Sequence, residues 1–179
     1  MKYIIASDIH GSLCFAKKLY QIIEKENPDT IILLGDVYYH GPRNPLPPEY
    51  NPMAVSKLLN NLSNKLICIK GNCDAEVDEM ISNFKFYNNY KTTICNKHIM
   101  FTHGHKTDFN NINSNIDILF YGHYHTGHIK KQQTPILVNP GSISIPKENT
   151  VNSFVLIDNN TIYLKDLNNN NIIDQYNIN

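Results

Sequence analysis

The strongest constraint on the fold is the alternation of apolar runs and amphipathic segments in the first 70 residues. Residues 2–7, 30–34 and 66–69 form mainly apolar runs that are typical of buried strands. Residues 11–26 and 53–62 lie between them and carry apolar side chains at helical spacing, and Pro52 suits the first position of the second helix. The order strand, helix, strand, helix, strand predicts a parallel sheet with right-handed crossovers.

A long proline-rich segment separates the second strand from the second helix. Residues 37–50 contain four prolines, which exclude a helix or a central strand there. Long loops in compact domains are commonly functional, so we expect this loop to lie beside a site.

The pattern becomes strand-rich after residue 89. We therefore predict the α/β fold class, as a two-sheet α/β sandwich of mixed sheets flanked by helices, in one domain covering residues 1–179. The further strands are expected at residues 90–95 and 98–102 around a turn at Asn96-Lys97, at residues 118–121 and 136–138, and in a β-meander over residues 153–178 with turns at 159–160 and 168–171.

Charge and composition narrow the function. Sixteen basic side chains balance sixteen acidic ones, whereas proteins that grip long nucleic acids carry a basic excess, so we expect no extended nucleic-acid binding. No apolar run is long enough for a membrane span, and the first apolar stretch is too short for a signal peptide. The four cysteines form no C-x-x-C pair, which favours reduced thiols and a cytoplasmic protein without membrane contact.

Polar side chains follow five of the predicted strands directly. Carboxyl ends of strands in open α/β sheets gather at one edge, so these residues are expected in one cleft. Oxygen and imidazole ligands suit Mn²⁺, Fe or Zn²⁺ better than Mg²⁺ or Ca²⁺. Paired cations need a shared carboxylate, and Asp36 is the candidate bridge. The residues at strand ends are Asp8, His10, Asp36, Asn72, His103, His105, His123 and His125.

These residues stand in motifs that resemble a known family. Asp8-x-His10, Gly35-Asp36, Gly71-Asn72, His103 and Gly122-His123-x-His125 resemble the calcineurin-like metallophosphoesterases. Across nearly the whole chain, the sequence is also similar to the YfcE-type bacterial phosphodiesterases within that family. That similarity is carried by residues 35–37, 40–44, 71–74, 102–105 and 139–142, the last of which we expect to form a turn beneath the metal cleft.

The resemblance implies a dinuclear hydrolase acting on a small phosphodiester. A hydroxide that bridges the two metals would attack phosphorus in line with the leaving oxygen. Manganese is the first choice of metal, with iron, nickel or zinc as alternatives. The implied ligands are Asp8, His10, Asp36 and His125 for one metal, and Asp36, Asn72, His103 and His123 for the other.

The chain departs from many family members directly after Asn72. Those proteins carry a histidine that is thought to steady the transition state or protonate the leaving group, whereas this chain has Cys73, as in the YfcE-type subgroup. A neutral thiol is a poorer hydrogen-bond donor, so we hypothesise that Cys73 favours diesters with good leaving groups. Asn72 and Cys73 are the candidate catalytic residues, and Arg43, Cys73 and His105 the candidate substrate contacts. For Arg43, a solvated loop side chain is an equal alternative.

Three other functions stay open. A non-catalytic scaffold resembling the retromer subunit Vps29 shares the fold, although such relatives lack parts of the ligand set that this chain retains. A phosphomonoesterase or protein phosphatase would use the same metals, and a nuclease is disfavoured by the zero net charge. A homodimer or higher homo-oligomer is compatible with the resemblance, but no pattern in the sequence identifies an interface.

Overall fold

The fold is built from two β-sheets and a small number of helices, described for residues 1–178 in a computed structural model. The helices are α1 Leu13–Glu26, α2 Pro52–Asn60 and α3 Glu76–Met80, with a 3-10 turn at Ser63–Lys65. The strands are β1 Tyr3–Ala6, β2 Thr30–Leu33, β3 Leu66–Ile69, β4 Phe86–Tyr87, β5 Asn89–Ile94, β6 Lys97–Thr102, β7 Ile118–Tyr121, β8 Gly127–Lys130, β9 Ile136–Pro140, β10 Ser153–Asp158, β11 Thr161–Asp166 and β12 Ile172–Asn177.

Both sheets are mixed. The seven-stranded sheet has the order β12-β11-β10-β1-β2-β3-β4, with β1 to β4 parallel and β10 to β12 antiparallel. The five-stranded sheet has the order β5-β6-β7-β9-β8, with β6, β7 and β9 parallel between two antiparallel edge strands. The predicted two-sheet α/β sandwich is therefore confirmed.

The helix boundaries follow the signals in the sequence. Asn27 adopts a left-handed conformation and its N–H bonds to the Ile23 carbonyl, which ends α1. Pro52 occupies the first turn of α2, and the Asn51 side chain accepts the Ala54 N–H at 3.1 Å. No helix within residues 1–178 is both long and apolar enough to cross a membrane.

The seven-stranded sheet is buried on both faces at its centre. On β1, Ile4 belongs to the cluster beneath α1 and α2, whereas Ile5 belongs to the cluster between the two sheets. Burial on both sides explains why the strands read as continuous apolar runs. Phe101 of β6 and Phe120 of β7 stack with ring centroids 5.0 Å apart and belong to the same buried cluster as Ile5 of the facing sheet. This packing fixes the two sheets against each other and so fixes the positions of their strand ends.

Three sequence expectations need correction or extension. The hairpin turn is Cys95-Asn96 and not Asn96-Lys97, since Ile94 pairs with Lys97 and both turn residues have positive φ, as a type I′ turn requires. Strand β9 extends through Pro140, beyond the predicted end at residue 138. No element was expected where α3, β4 and β8 occur, because elements of two to five residues are too short to show a period.

Candidate metal centre

All seven residues predicted as metal ligands lie at the carboxyl ends of parallel strands and converge on one cleft. The seven-stranded sheet supplies four of them, after β1, β2 and β3, and the five-stranded sheet supplies three, after β6 and β7. The first group is Asp8, His10, Asp36 and Asn72, and the second is His103, His123 and His125.

One cluster forms around Asp8. Its Oδ1 lies 3.3 Å from His125 Nε2 and 3.7 Å from His10 Nε2, and the two imidazole nitrogens lie 3.3 Å from each other. All three side chains are buried. Their ligand atoms lie close enough together to hold one metal ion.

A second cluster forms around His103. Its Nε2 lies 3.4 Å from Asp36 Oδ1 and 3.0 Å from Asn72 Oδ1, and Asp36, His103 and His123 could hold a metal ion together. The other oxygen of the same carboxylate, Asp36 Oδ2, faces the first cluster at 3.8 Å from His10 Nε2. Asp36 therefore presents one oxygen to each cluster, which is the arrangement that a bridging ligand needs.

Backbone carbonyls orient three of the imidazoles. His10 Nδ1 lies 2.8 Å from the carbonyl oxygen of Tyr39. His103 Nδ1 lies 2.6 Å from that of Leu34, and His125 Nδ1 lies 2.8 Å from that of Ile145. A carbonyl oxygen only accepts, so Nδ1 carries the proton in each ring and Nε2 is directed into the cleft as a ligand atom. Metal-binding histidines are commonly held in this way.

The donor set fits divalent cations. Asp8 Oδ1 is buried and has no hydrogen-bond partner among the described residues. Burial opposes ionisation of Asp8, but the neighbouring His10 and His125 lower its pKa well below the usual range. Burial likewise opposes ionisation of Asp36, and His103 lowers the pKa of that carboxyl. Two buried carboxylates with converging imidazole nitrogens make a pocket for positive charge.

The same charges act on the two histidines of the second cluster, His103 and His123. Burial lowers the pKa of His103, but Asp36 and Asp8 outweigh it and raise the pKa to about 9. Burial and the charge on His103 lower the pKa of His123. Protons and metal ions therefore compete for the same nitrogen of His103, because only the neutral ring is a ligand.

Five of the seven candidate ligands have a strained backbone. A left-handed conformation is uncommon for residues other than glycine, and such strain concentrates at functional sites. Each of these residues lies two to four residues after the end of a strand, in the segment that leads into the cleft. The five are Asp8 (φ 58), His10 (φ 49), Asp36 (φ 54), His123 (φ 70) and His125 (φ 62).

Asp74 is a positioning residue that was not singled out in the sequence. Its carboxylate accepts the backbone N–H groups of Asp36 at 2.8 Å, Val37 at 2.8 Å and Gly71 at 2.7 Å. Burial raises the pKa of Asp74 to about 6, against the opposing effect of these three hydrogen bonds. The only signal in the sequence was its place two residues after Asn72 in a recognised motif.

Two serines hold the backbone at Asp8, as Asp74 holds the backbone at Asp36. Ser142 Oγ and Ser144 Oγ donate to the Asp8 carbonyl at 2.7 and 2.9 Å, which holds the strained backbone in place. Asn139 Nδ2 donates to the Gly122 carbonyl, just before His123. Residues 139–142 therefore do lie beneath the cleft, although Asn139 and Pro140 complete β9 before the chain turns.

The candidate substrate residues lie at two openings of the centre. Arg43 is exposed and lines a cleft of about 450 Å³ together with Cys73, Asp36 and His123. The Cys73 N–H donates to Asp36 Oδ1 at 2.8 Å. His105, with its ring centroid 5.2 Å from that of His103, lines a second and larger cleft of about 880 Å³. Arg43 and His105 thus line different clefts, which share Asn72.

Comparisons with known proteins agree with this geometry. The chain is 38% identical to phosphodiesterase YfcE of Escherichia coli K12 over 183 aligned residues, which cover 100% of this chain and 99% of that protein. A solved structure of YfcE from E. coli, described as a phosphoesterase, superposes with a TM-score of 0.94 at 37% identity over the full length of both chains. Vps29 of Entamoeba histolytica, in a complex with zinc, superposes at 0.67 and 20% identity over both full chains, which shows a shared fold.

A family model agrees with these relatives. Residues 1–161 match the model of the calcineurin-like phosphoesterase superfamily domain. The matched segment includes every strand end that supplies a candidate ligand. This chain therefore belongs to the calcineurin-like phosphoesterase superfamily, the metal-dependent phosphoesterases that its sequence motifs resemble.

Proposed function

We propose that this chain is a phosphodiesterase with two divalent cations, acting as one domain over residues 1–179 on a small phosphodiester. The carrying observation is the carboxylate of Asp36, which presents one oxygen to the cluster with His10 and the other to His103. The likeness to phosphodiesterase YfcE along the whole chain supports the choice of a diester. The proposed ligands are Asp8, His10, Asp36 and His125 for one cation, and Asp36, Asn72, His103 and His123 for the other.

Two cations held there would activate water, neutralise the phosphate charge and stabilise the charge that develops in the transition state. The protein contributes fixed positions: carbonyls hold the imidazoles, Asp74 holds the loop that carries Asp36, and Ser142 holds Asp8. Such preorganisation removes the cost of arranging ligands during the reaction.

The remaining residues of the cleft would bind the ester. The guanidinium of Arg43 has the fork geometry that pairs with phosphate oxygens, and it lines the cleft beside Cys73. Manganese is the proposed metal because mixed carboxylate, amide and imidazole ligands suit it, with iron, nickel and zinc as further candidates.

The test is hydrolysis by metal-free protein that is titrated with Mn²⁺. We expect bis(4-nitrophenyl) phosphate to be hydrolysed at a rate that saturates with metal, and faster than 4-nitrophenyl phosphate. The activity of the Asp36→Asn variant should be more than about 100-fold lower. Replacing even the residues that only support metal ligands typically lowers metal affinity or activity by about 10–100-fold. Asp117→Asn is the control, since Asp117 accepts the His98 N–H away from the centre.

Each alternative predicts a different result. Faster turnover of the monoester would favour a phosphomonoesterase. Stoichiometric uptake of metal without hydrolysis of either ester, across Mn²⁺, Fe²⁺, Co²⁺, Ni²⁺ and Zn²⁺, would favour a scaffold. An Asp36→Asn variant with unchanged activity would refute the assigned bridge.

A further inference from the structure

The larger cleft opens directly beside the candidate metal centre. Asn72 and His103 belong to the second cluster and also line this cleft of about 880 Å³, together with His105. Its other walls come from residues 88–91 and residues 106–113. A group that is esterified to a phosphate bound at the centre would therefore lie next to this cleft.

The cleft carries two cationic side chains that no protein group neutralises. Of its three lysines, Lys70 is paired with Glu79 at 2.9 Å. Neither Lys91 nor Lys106 has an ion-pair or hydrogen-bond partner anywhere in residues 1–178. These two ammonium groups are therefore available for an anionic ligand.

The two acidic residues of the cleft are engaged elsewhere. Asp74 accepts three backbone N–H groups. Asp108 Oδ1 accepts the Asn110 N–H at 3.0 Å. Neither carboxylate lies within 4.0 Å of Lys91 or Lys106 in the part of the chain that the structure describes. Lys91 and Lys106 are both exposed, and within residues 1–178 they are the two cations of this lining that no carboxylate pairs within 4.0 Å.

Side-chain amides supply most of the remaining polar lining. Such groups both donate and accept, which suits a ligand rich in hydroxyl or carbonyl groups. The volume lies in the range of sites that enclose a whole small molecule. The cleft on the Arg43 side is about half as large, and it carries the acidic Glu148 beside its two cations, Arg43 and Lys147. The amides come from Asn88, Asn89, Asn111 and Asn113.

We infer that the substrate is a phosphodiester in which one esterified group carries a further anionic group, a phosphate or a carboxylate, bound by Lys91 and Lys106. This inference rests on the proposed function and adds the substrate class. The lysines are assigned to specificity, since they line the cleft beyond the candidate ligands and the reacting phosphate stays at the metals.

A matched pair of chromogenic diesters tests the inference. The 4-nitrophenyl ester of thymidine 5′-phosphate and the same ester with an added 3′-phosphate both release 4-nitrophenol, and they differ by one anionic group. We expect Mn²⁺-loaded protein to favour the 3′-phosphorylated ester about tenfold in kcat/KM, mostly through KM, as charge-assisted hydrogen bonds contribute about this much. In the Lys91→Met/Lys106→Met double variant, the ratio of the two kcat/KM values should fall to about 1.

Lys57→Met is a single-charge control, because Lys57 is an exposed lysine on α2 that does not line this cleft. It should retain the preference. Calorimetric titration gives a readout that is independent of turnover. We expect thymidine 3′,5′-bisphosphate to bind with a Kd about tenfold lower than that of thymidine 5′-monophosphate. Equal kcat/KM and equal binding of the two, or a preference that survives the double variant, would overturn the inference. Failure to hydrolyse any diester with metal bound would instead refute the proposed phosphodiesterase.

Discussion

At the scale of single residues, Cys73 is the candidate catalytic residue that directly follows the candidate ligand Asn72. Its backbone N–H donates to Asp36 Oδ1 at 2.8 Å, so its position is fixed relative to the candidate bridge. Burial, and then the charge on Asp36, raise the pKa of the Cys73 thiol to about 12. The side chain is therefore a neutral thiol near neutral pH, and it is a weak donor to a leaving oxygen.

Replacing this thiol by an imidazole should increase the hydrolysis of monoesters relative to diesters. We expect Cys73→His to raise the ratio of monoester to diester hydrolysis by about 100-fold, the lower end of what a positioned general acid contributes. The measurement is kcat/KM for 4-nitrophenyl phosphate and bis(4-nitrophenyl) phosphate under equal metal loading.

The control substitution is Cys14→His, at a partly buried cysteine in α1 that belongs to none of the candidate metal clusters. It should leave the ratio unchanged. An unchanged ratio in Cys73→His as well would show that the thiol does not set the preference for diesters.

At the scale of elements, Asp74 joins the ends of two neighbouring parallel strands. It binds backbone groups after β2 and after β3, and the contact requires a close approach at Gly71. A Cβ atom at Gly71 would overlap the backbone nitrogen and the carboxylate of Asp36. The site thus depends on a tight junction between strand ends as well as on the ligands themselves.

Asp74→Asn should loosen this junction. An amide has one acceptor oxygen, so one of the three N–H donors would face an NH₂ group and stay unsatisfied. We expect a loss of about 1–3 kcal/mol in the free energy of unfolding and a metal affinity reduced about 10-fold or more. Chemical denaturation and metal titration measure the two effects.

Asp78→Asn offers a matched comparison. Asp78 is equally buried, at 8% exposure for each residue, and accepts the Ala75 N–H at 2.8 Å. Its substitution should cost stability without weakening metal binding. A reduced metal affinity in both variants would indicate general destabilisation, and would contradict a specific role for Asp74.

The sequence predicts those elements that show a pattern within a short window. The strand over residues 118–121 and the helix start at Pro52 agree with the structure, because continuous burial and helix capping act locally. The predicted hairpin turn was one residue too late, since Asn96 is compatible with either the first or the second position of the turn. The serine contact beneath the centre could not be predicted, because Ser142 and Asp8 are 134 residues apart and meet only through sheet packing.

At the scale of the whole molecule, the candidate centre joins the two sheets. Four ligands follow strands of the seven-stranded sheet and three follow strands of the five-stranded sheet. A cation bound to Asp8 and His125, or to Asp36 and His103, therefore links side chains from both. Without such a cation, clustered buried carboxylates and imidazoles are costly, so metal binding should stabilise the fold as a unit.

Mn²⁺ should accordingly raise the melting temperature of metal-free protein. At free metal about 100 times Kd, binding contributes about 2.7 kcal/mol. For a chain of this length, that corresponds to roughly 5–10 °C. Scanning calorimetry measures the shift, and it should be small in Asp36→Asn and retained in Asp117→Asn.

Hydrogen exchange decides whether the metal links the sheets or only tightens local loops. If the cations link them, amides of β1 and β2 and amides of β6 and β7 should gain protection together, because opening either sheet would break ligand bonds to the other. Protection confined to residues 8–10 and 123–125 would indicate local ordering alone. An identical thermal shift in Asp36→Asn would indicate that the stabilising ion binds outside the centre assigned here.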